Sequence, residues 1–182
     1  MTEALALAAA LREGLPADHS AHVAELAEAV ALHLGLDGDT VARARVAGWL
    51  HDLGKLAVPD DILHKPAKLT DDEWHVMRTH AQLGATVLAR IPELRAAAAG
   101  VRHHHERLDG AGYPDRLRGS EIPIEARIVA AADSYNAIIS ERVYAPARTR
   151  QEALAELRRA AGTQLDPGVV AALEAVIADP AA

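Results

Sequence analysis

Ten histidines and no cysteine in 182 residues give this chain an unusual stock of reactive groups. His19 stands four residues before Val23 and seven before Leu26, on the inward stripe of one helix. His51-Asp52 follows the apolar pair Trp49-Leu50, and His80 introduces Leu83, Val87 and Leu88. His104-His105 ends a segment carrying Ala97, Ala98 and Val101. Asp133 closes the run Ile128-Val129-Ala130-Ala131-Ala132, which reads as an interior helix. An unpaired carboxylate buried there costs several kcal/mol, so something positive must meet it. Imidazole and carboxylate together suit iron, manganese, zinc or nickel, and the lack of sulfur favours iron or manganese.

The elements that must position these groups are helical. Val23, Leu26, Ala27, Val30 and Leu34 recur at three- and four-residue steps, and Gly35 ends that helix. Asp39-Thr40 opens the helix that runs to His51-Asp52-Leu53-Gly54-Lys55. Thr70 to Glu73 and Thr149 to Glu152 each spell a capping box, and Asp166-Pro167 an N-cap followed by proline. Alternating β-branched runs are missing, so the expected fold is all-α, a compact helical bundle with the site in its core. Two stretches break the rhythm, residues 56–69 and the glycine- and proline-rich residues 109–123. Loops of that length inside one domain are usually functional.

Composition narrows the chemistry. The absence of cysteine excludes disulfide scaffolds, thiol catalysis and iron–sulfur clusters. A net charge of −7 argues against nucleic-acid polymers and anionic membranes as partners. Only 3% of residues are aromatic, so an Ala-rich core of closely packed helices is expected. The N-terminus carries Glu3 and no early basic residue, which does not fit a secretory signal, and a cytoplasmic location is expected. Residues 1–17 read as a helix or linker and residues 18–182 as the functional domain.

The ordered set of motifs resembles the HD-GYP subgroup of the HD-domain phosphohydrolases, a family of cyclic di-GMP phosphodiesterases. The resemblance rests on His19-Ser20, His51-Asp52-Leu53-Gly54-Lys55, the stretch from Pro59 to Pro66, and His80. It continues through His104-His105-Glu106-Arg107-Leu108-Asp109-Gly110-Ala111-Gly112-Tyr113-Pro114, Ile122-Pro123, Ala126-Arg127-Ile128 and Ala132-Asp133. It implies two divalent metal ions, one held by His19, His51, Asp52 and Asp133, the other by Asp52, His80, His104 and His105. Asp52 would bridge, since neighbouring helical residues point about 100° apart. The implied reaction is attack of a metal-bridging hydroxide on a phosphodiester, with cyclic di-GMP opened to linear pGpG. Lys55 joins Asp52 as a catalytic candidate, placed to hold a phosphate oxygen or support the leaving oxygen. Gly110, Gly112 and Tyr113 are expected to bind substrate, Tyr113 through its ring or hydroxyl, and Arg142 to contact phosphate or base. Asp109 is expected to pin the loop, and Glu106 to support a ligand histidine.

Departures matter. Leu15 occupies the place of a glutamate that some members use for a third metal, so two metals and a linear product are expected. Asn136 stands for a second aspartate, Ala145 for a basic residue, and His22 for arginine. His103 adjoins the ligand pair and is set aside because Glu106 and the glycine loop fix the frame. His33, His64 and His75 are expected to face solvent. Competing readings are an HD phosphohydrolase acting on another nucleotide, and a non-hydrolytic cyclic di-GMP sensor or protein-interaction module. Only eighteen residues precede His19, so no regulatory module of the kind that often accompanies this domain is expected within them, and the chain is expected either to stand alone or to be one part of a longer product. A homodimer through Leu5–Leu11, or a partner signalling protein, is a further expectation.

Overall fold

A computed structural model describes residues 1–14, 18–140 and 148–178. The chain order is α1 (Thr2–Glu13), α2 (His19–His33), α3 (Gly38–Leu50), a 3-10 helix (Leu53–Ala57), α4 (Asp60–Leu63) and α5 (Asp71–Arg90). After the 3-10 turn Arg95–Ala97 come α6 (Ala98–His103), the 3-10 turn Gly119–Glu121, α7 (Ile124–Ile139), α8 (Arg150–Ala160) and α9 (Pro167–Ala178). No strand occurs among the described residues, only an isolated bridge between Ala161 and Leu165. The all-α expectation is met.

Small residues set the spacing of the bundle. α2, α3 and α7 pack against one another, and Ala24, Ala27, Ala44, Ala47, Ala131 and Ala132 in these helices are fully buried. A Cβ on Gly48 would lie 2.8 Å from Ala24 Cα, so α2 and α3 meet backbone to backbone. Gly54 lies still closer to α5, where an added Cβ would overlap the His80 carbonyl. α5 therefore departs from the expected apolar stripe. His80, Ala81, Gly84, Ala85 and Leu88 are buried, whereas Leu83 and Val87 are 38% and 44% exposed. His80 is also mid-helix, not at a start, because the capping box at Thr70 begins the helix ten residues earlier.

Both capping boxes form as read, and Asp166 accepts from the amides of Gly168 (2.8 Å) and Val169 (3.3 Å). The cap of α3 is corrected to Asp37, which accepts from the Thr40 amide at 3.0 Å and the Thr40 hydroxyl at 2.7 Å. α1 buries Ala6, Ala9 and Ala10 and is tied to the bundle by Arg12, which donates to Val58 O at 2.6 Å.

Candidate metal centre

Three helices and two turns deliver the donors. His51 caps the C-terminus of α3 and Asp52 leads into the 3-10 helix. His80 comes from α5, His104 caps α6 with His105 next, His19 opens α2, and Asp133 lies on α7. Donor atoms of Asp52, His80, His104 and His105 lie within 4.8 Å of one another, as do those of His19, His51 and Asp133. Asp52 links the groups: Oδ2 is 3.1 Å from His51 Nε2, and Oδ1 is 3.5 Å from His80 Nε2. Asp133 Oδ1 lies 3.6 Å from His19 Nε2 and 3.8 Å from His51 Nε2.

The ring nitrogens test whether a metal fits. His51 Nδ1 donates to Gly48 O (2.8 Å), His80 Nδ1 to Met77 O (2.8 Å), and His104 Nδ1 to Val101 O (2.7 Å). A carbonyl can only accept, so each neutral ring carries its proton on Nδ1 and turns the Nε2 lone pair into the cluster. Those three Nε2 atoms are buried without a hydrogen-bond partner. Leaving one such group unmet costs about 1–3 kcal/mol. The lone pairs of His80 and His104, joined by that of His51 once its Nε2 gives up a proton, converge beside two carboxylates, a donor set that a divalent cation of intermediate hardness would satisfy. His19 is oriented differently. The Asn136 amide nitrogen lies 2.7 Å from its Nδ1, and a half-turn of that amide supplies the acceptor that a ligating His19 needs.

Electrostatics favour the same use. Burial pushes His19 and His80 below the ordinary imidazole range and His104 far below it, while His105 falls to about 3. Neutral rings are what metals bind. Burial also opposes charge on His51, but Asp52 and Asp133 outweigh it and raise that ring to about 9 in the metal-free protein. Burial alone would raise Asp52; the charges of His51 and Lys55 hold it well below the carboxylate range.

Lys55 faces the cluster, though not by continuation of α3. The 3-10 helix carries it over Asp52 through the bond from Lys55 N to Asp52 O, 2.9 Å. Its ammonium donates to Asp52 Oδ2 (2.8 Å) and to Glu13 Oε2 (2.7 Å). Glu13 was missed by the sequence reading. It is a lone acid at the end of an Ala/Leu helix, with no neighbouring motif, and only the packing of α1 reveals it. Burial and the charge of Asp52 push its carboxyl up to about 7, against the pull of Lys55.

The loop after His105 is held by its own residues. Glu106 accepts from the amides of Asp115 (2.7 Å) and Leu117 (3.2 Å) and, among the described residues, makes no hydrogen bond to a ligand histidine, so its carboxylate braces the loop where support of a ligand ring was expected. Asp109 accepts from the Ala111 amide at 2.9 Å and so pins the turn. His103 pairs with Asp115 at 2.9 Å, away from the cluster. Gly110 has φ +74°, whereas a Cβ on Gly112 would lie 2.5 Å from Glu106 Cα and Arg107 N. Gly112 thus serves contact with its own loop, not a positive φ. The Tyr113 ring stacks on His105 at 4.8 Å, so a base would compete with that imidazole for the ring. His22, His33, His64 and His75 are exposed. Arg142, Leu15 and Ala145 lie outside the described residues.

An Ala-rich helical bundle gathering histidines and aspartates at helix ends around buried ring nitrogens is the arrangement of an HD domain. The chain belongs to the HD-domain family, whose model matches residues 3–169, and to its HD-GYP subgroup. That match takes in α1. The chain is 43% identical over 171 residues to the cyclic di-GMP phosphodiesterase response regulator RpfG of Xanthomonas campestris pv. campestris, covering 93% of this chain and 45% of that protein. A cyclic di-GMP phosphodiesterase of Pseudomonas aeruginosa is 43% identical over 152 residues, 83% of this chain and 36% of the relative. The structure of a cyclic GMP-AMP specific phosphodiesterase of V. cholerae superposes with a TM-score of 0.79 at 20% identity, covering 99% of this chain and 49% of that one. This chain spans less than half the length of these relatives.

Proposed function

We propose that this chain is a metal-dependent phosphodiesterase that opens cyclic di-GMP to linear pGpG. The observation that carries the reading is the pair of donor groups joined through the two oxygens of Asp52. His19, His51, Asp52 and Asp133 would hold one ion, and Asp52, His80, His104 and His105 the other. Iron or manganese suits that sulfur-free set. Two such ions supply Lewis acidity, polarising phosphoryl oxygens and making water acidic near neutral pH. Asp52 fixes the spacing of the two sides. Lys55 spends one donor on Asp52 and one on Glu13, which leaves a third for a phosphate or leaving oxygen. Tyr113 offers its hydroxyl at the mouth, and Gly110 and Gly112 shape the wall of the substrate groove. Arg142 is assigned a phosphate or base contact. No described helix is long and apolar enough to cross a membrane, and we assign the reaction to the cytoplasm.

The names of the 43%-identical relatives favour cyclic di-GMP over the hybrid cyclic dinucleotide. Anaerobic purification, metal analysis and chromatography of the products from both dinucleotides test the reading. Two metal ions per chain, pGpG as product and loss of both in Asp52→Ala are the expected results. Binding without turnover in the metal-loaded wild type would replace the enzyme by a sensor. Turnover surviving in Asp52→Ala would refute the mechanism.

A further inference from the structure

A second cavity adjoins the metal centre. The inner one, about 250 Å³, is lined by His104, His105 and Asp133; the outer one, about 580 Å³, opens beyond Tyr113. Arg78, Ala111, Gly112 and Tyr113 line both, so the two share one wall. The outer volume is within the range of small-molecule sites. In a chain of net charge −7, its lining holds Arg78, Arg116 and His75 and no Asp or Glu.

Arg78 and Arg116 differ from Arg107 and Arg102 nearby, and of the two only Arg78 also lines the inner cavity. Arg107 is tied to Asp109 (2.6 Å) and Gln164 (2.9 Å), and Arg102 to Asp115 (2.6 Å). Among the described residues Arg78 meets no carboxylate. Its guanidinium lies instead over the rings of Tyr113 (5.4 Å) and Trp74 (5.8 Å). Aromatic contact orients the planar group while leaving its N–H edge unspent. His75, Thr79 and Gln82 extend the same polar face of α5 into the outer cavity.

A cyclic dinucleotide carries two phosphodiester charges on opposite sides of its ring, and a metal centre engages one of them. Resting on the function proposed above, we infer that Arg78 binds the second phosphate, the one not being cleaved, at the junction of the two cavities. A guanidinium edge suits two phosphate oxygens at once, and this one gives up no salt bridge to bind them. Arg78 is then a substrate-binding residue that recognises a dinucleotide by its second phosphate and not by its bases.

Two probes test this on the metal-loaded protein by calorimetry. One is cyclic di-GMP with both linkages as phosphorothioates, which resists hydrolysis. The other has one of those linkages replaced by a neutral methylphosphonate. Arg78→Ala is expected to weaken the doubly charged probe roughly 10- to 100-fold. It should weaken the singly charged probe less than about threefold, since Arg78 then has no charge to meet. Metal content and thermal midpoint of the variant serve as folding controls, and Arg78→Lys should recover part of the loss. Equal losses for both probes, or no loss for either, overturn the inference. If wild type binds and the Arg78 pattern appears without turnover of cyclic di-GMP, the proposed activity fails and the phosphate site stands. If wild type binds neither probe, both fall.

Discussion

His51 is the one ligand-type ring that gains affinity for a proton in the metal-free protein. Its value of about 9 lies above the ordinary 6.5 because Asp52 and Asp133 overcome the penalty of burial. A raised imidazole contributes stability to the metal-free fold that is fully present below 6.5 and is lost as pH rises through about 9. A cation must displace that proton, so metal affinity should increase with pH from about 6.5 to about 9. Calorimetry at pH 7 in buffers of different ionisation enthalpy should detect release of about one proton per chain on loading. Release of none would place the His51 proton elsewhere. At this scale the sequence was informative where helical spacing turned a side chain inward, as at His19, His51 and Asp133. It was silent on Glu13 and Arg78, whose neighbours come from other helices.

Helix ends were legible because caps are local chemistry, written within four residues at Thr70, Thr149 and Asp166. The buried face of α5 was not. Its apolar residues suggested Leu83 and Val87, while the face that packs is chosen by Gly54 lying against the His80 carbonyl and Gly84. Periodicity counts apolar side chains and has no measure of a backbone that must come close. Gly54→Ala is accordingly expected to cost at least about 3 kcal/mol, because the added methyl meets main chain that cannot step aside. It should also separate Asp52 from His80. Denaturant unfolding and metal titration check the two effects, and a variant with wild-type stability and metal affinity would contradict this packing.

For the whole molecule, the fold class and the ordered motifs were readable, since an Ala-rich core without cysteine or alternating strands leaves few architectures. The role of α1 was not, because Arg12 and Glu13 act on Val58 and Lys55 across 46 and 42 residues of chain. Bringing the ligand helices together leaves the metal-free core with unmet ring nitrogens, so ions that bind only the native state should stabilise it. At a free metal concentration of one hundred times Kd the gain is about 2.7 kcal/mol per site. Each such site should raise the thermal midpoint by roughly 5–11 °C, and chelation should reverse the rise in a melting scan.

The hydrogen bonds from three imidazoles to the carbonyl three residues earlier fix the aim of those rings before any ion arrives. The scaffold is therefore cast in advance, and exchange of one first-row ion for its neighbour alters who occupies the mould more than its form. The relative abundance of competing cations then decides which ion fills it.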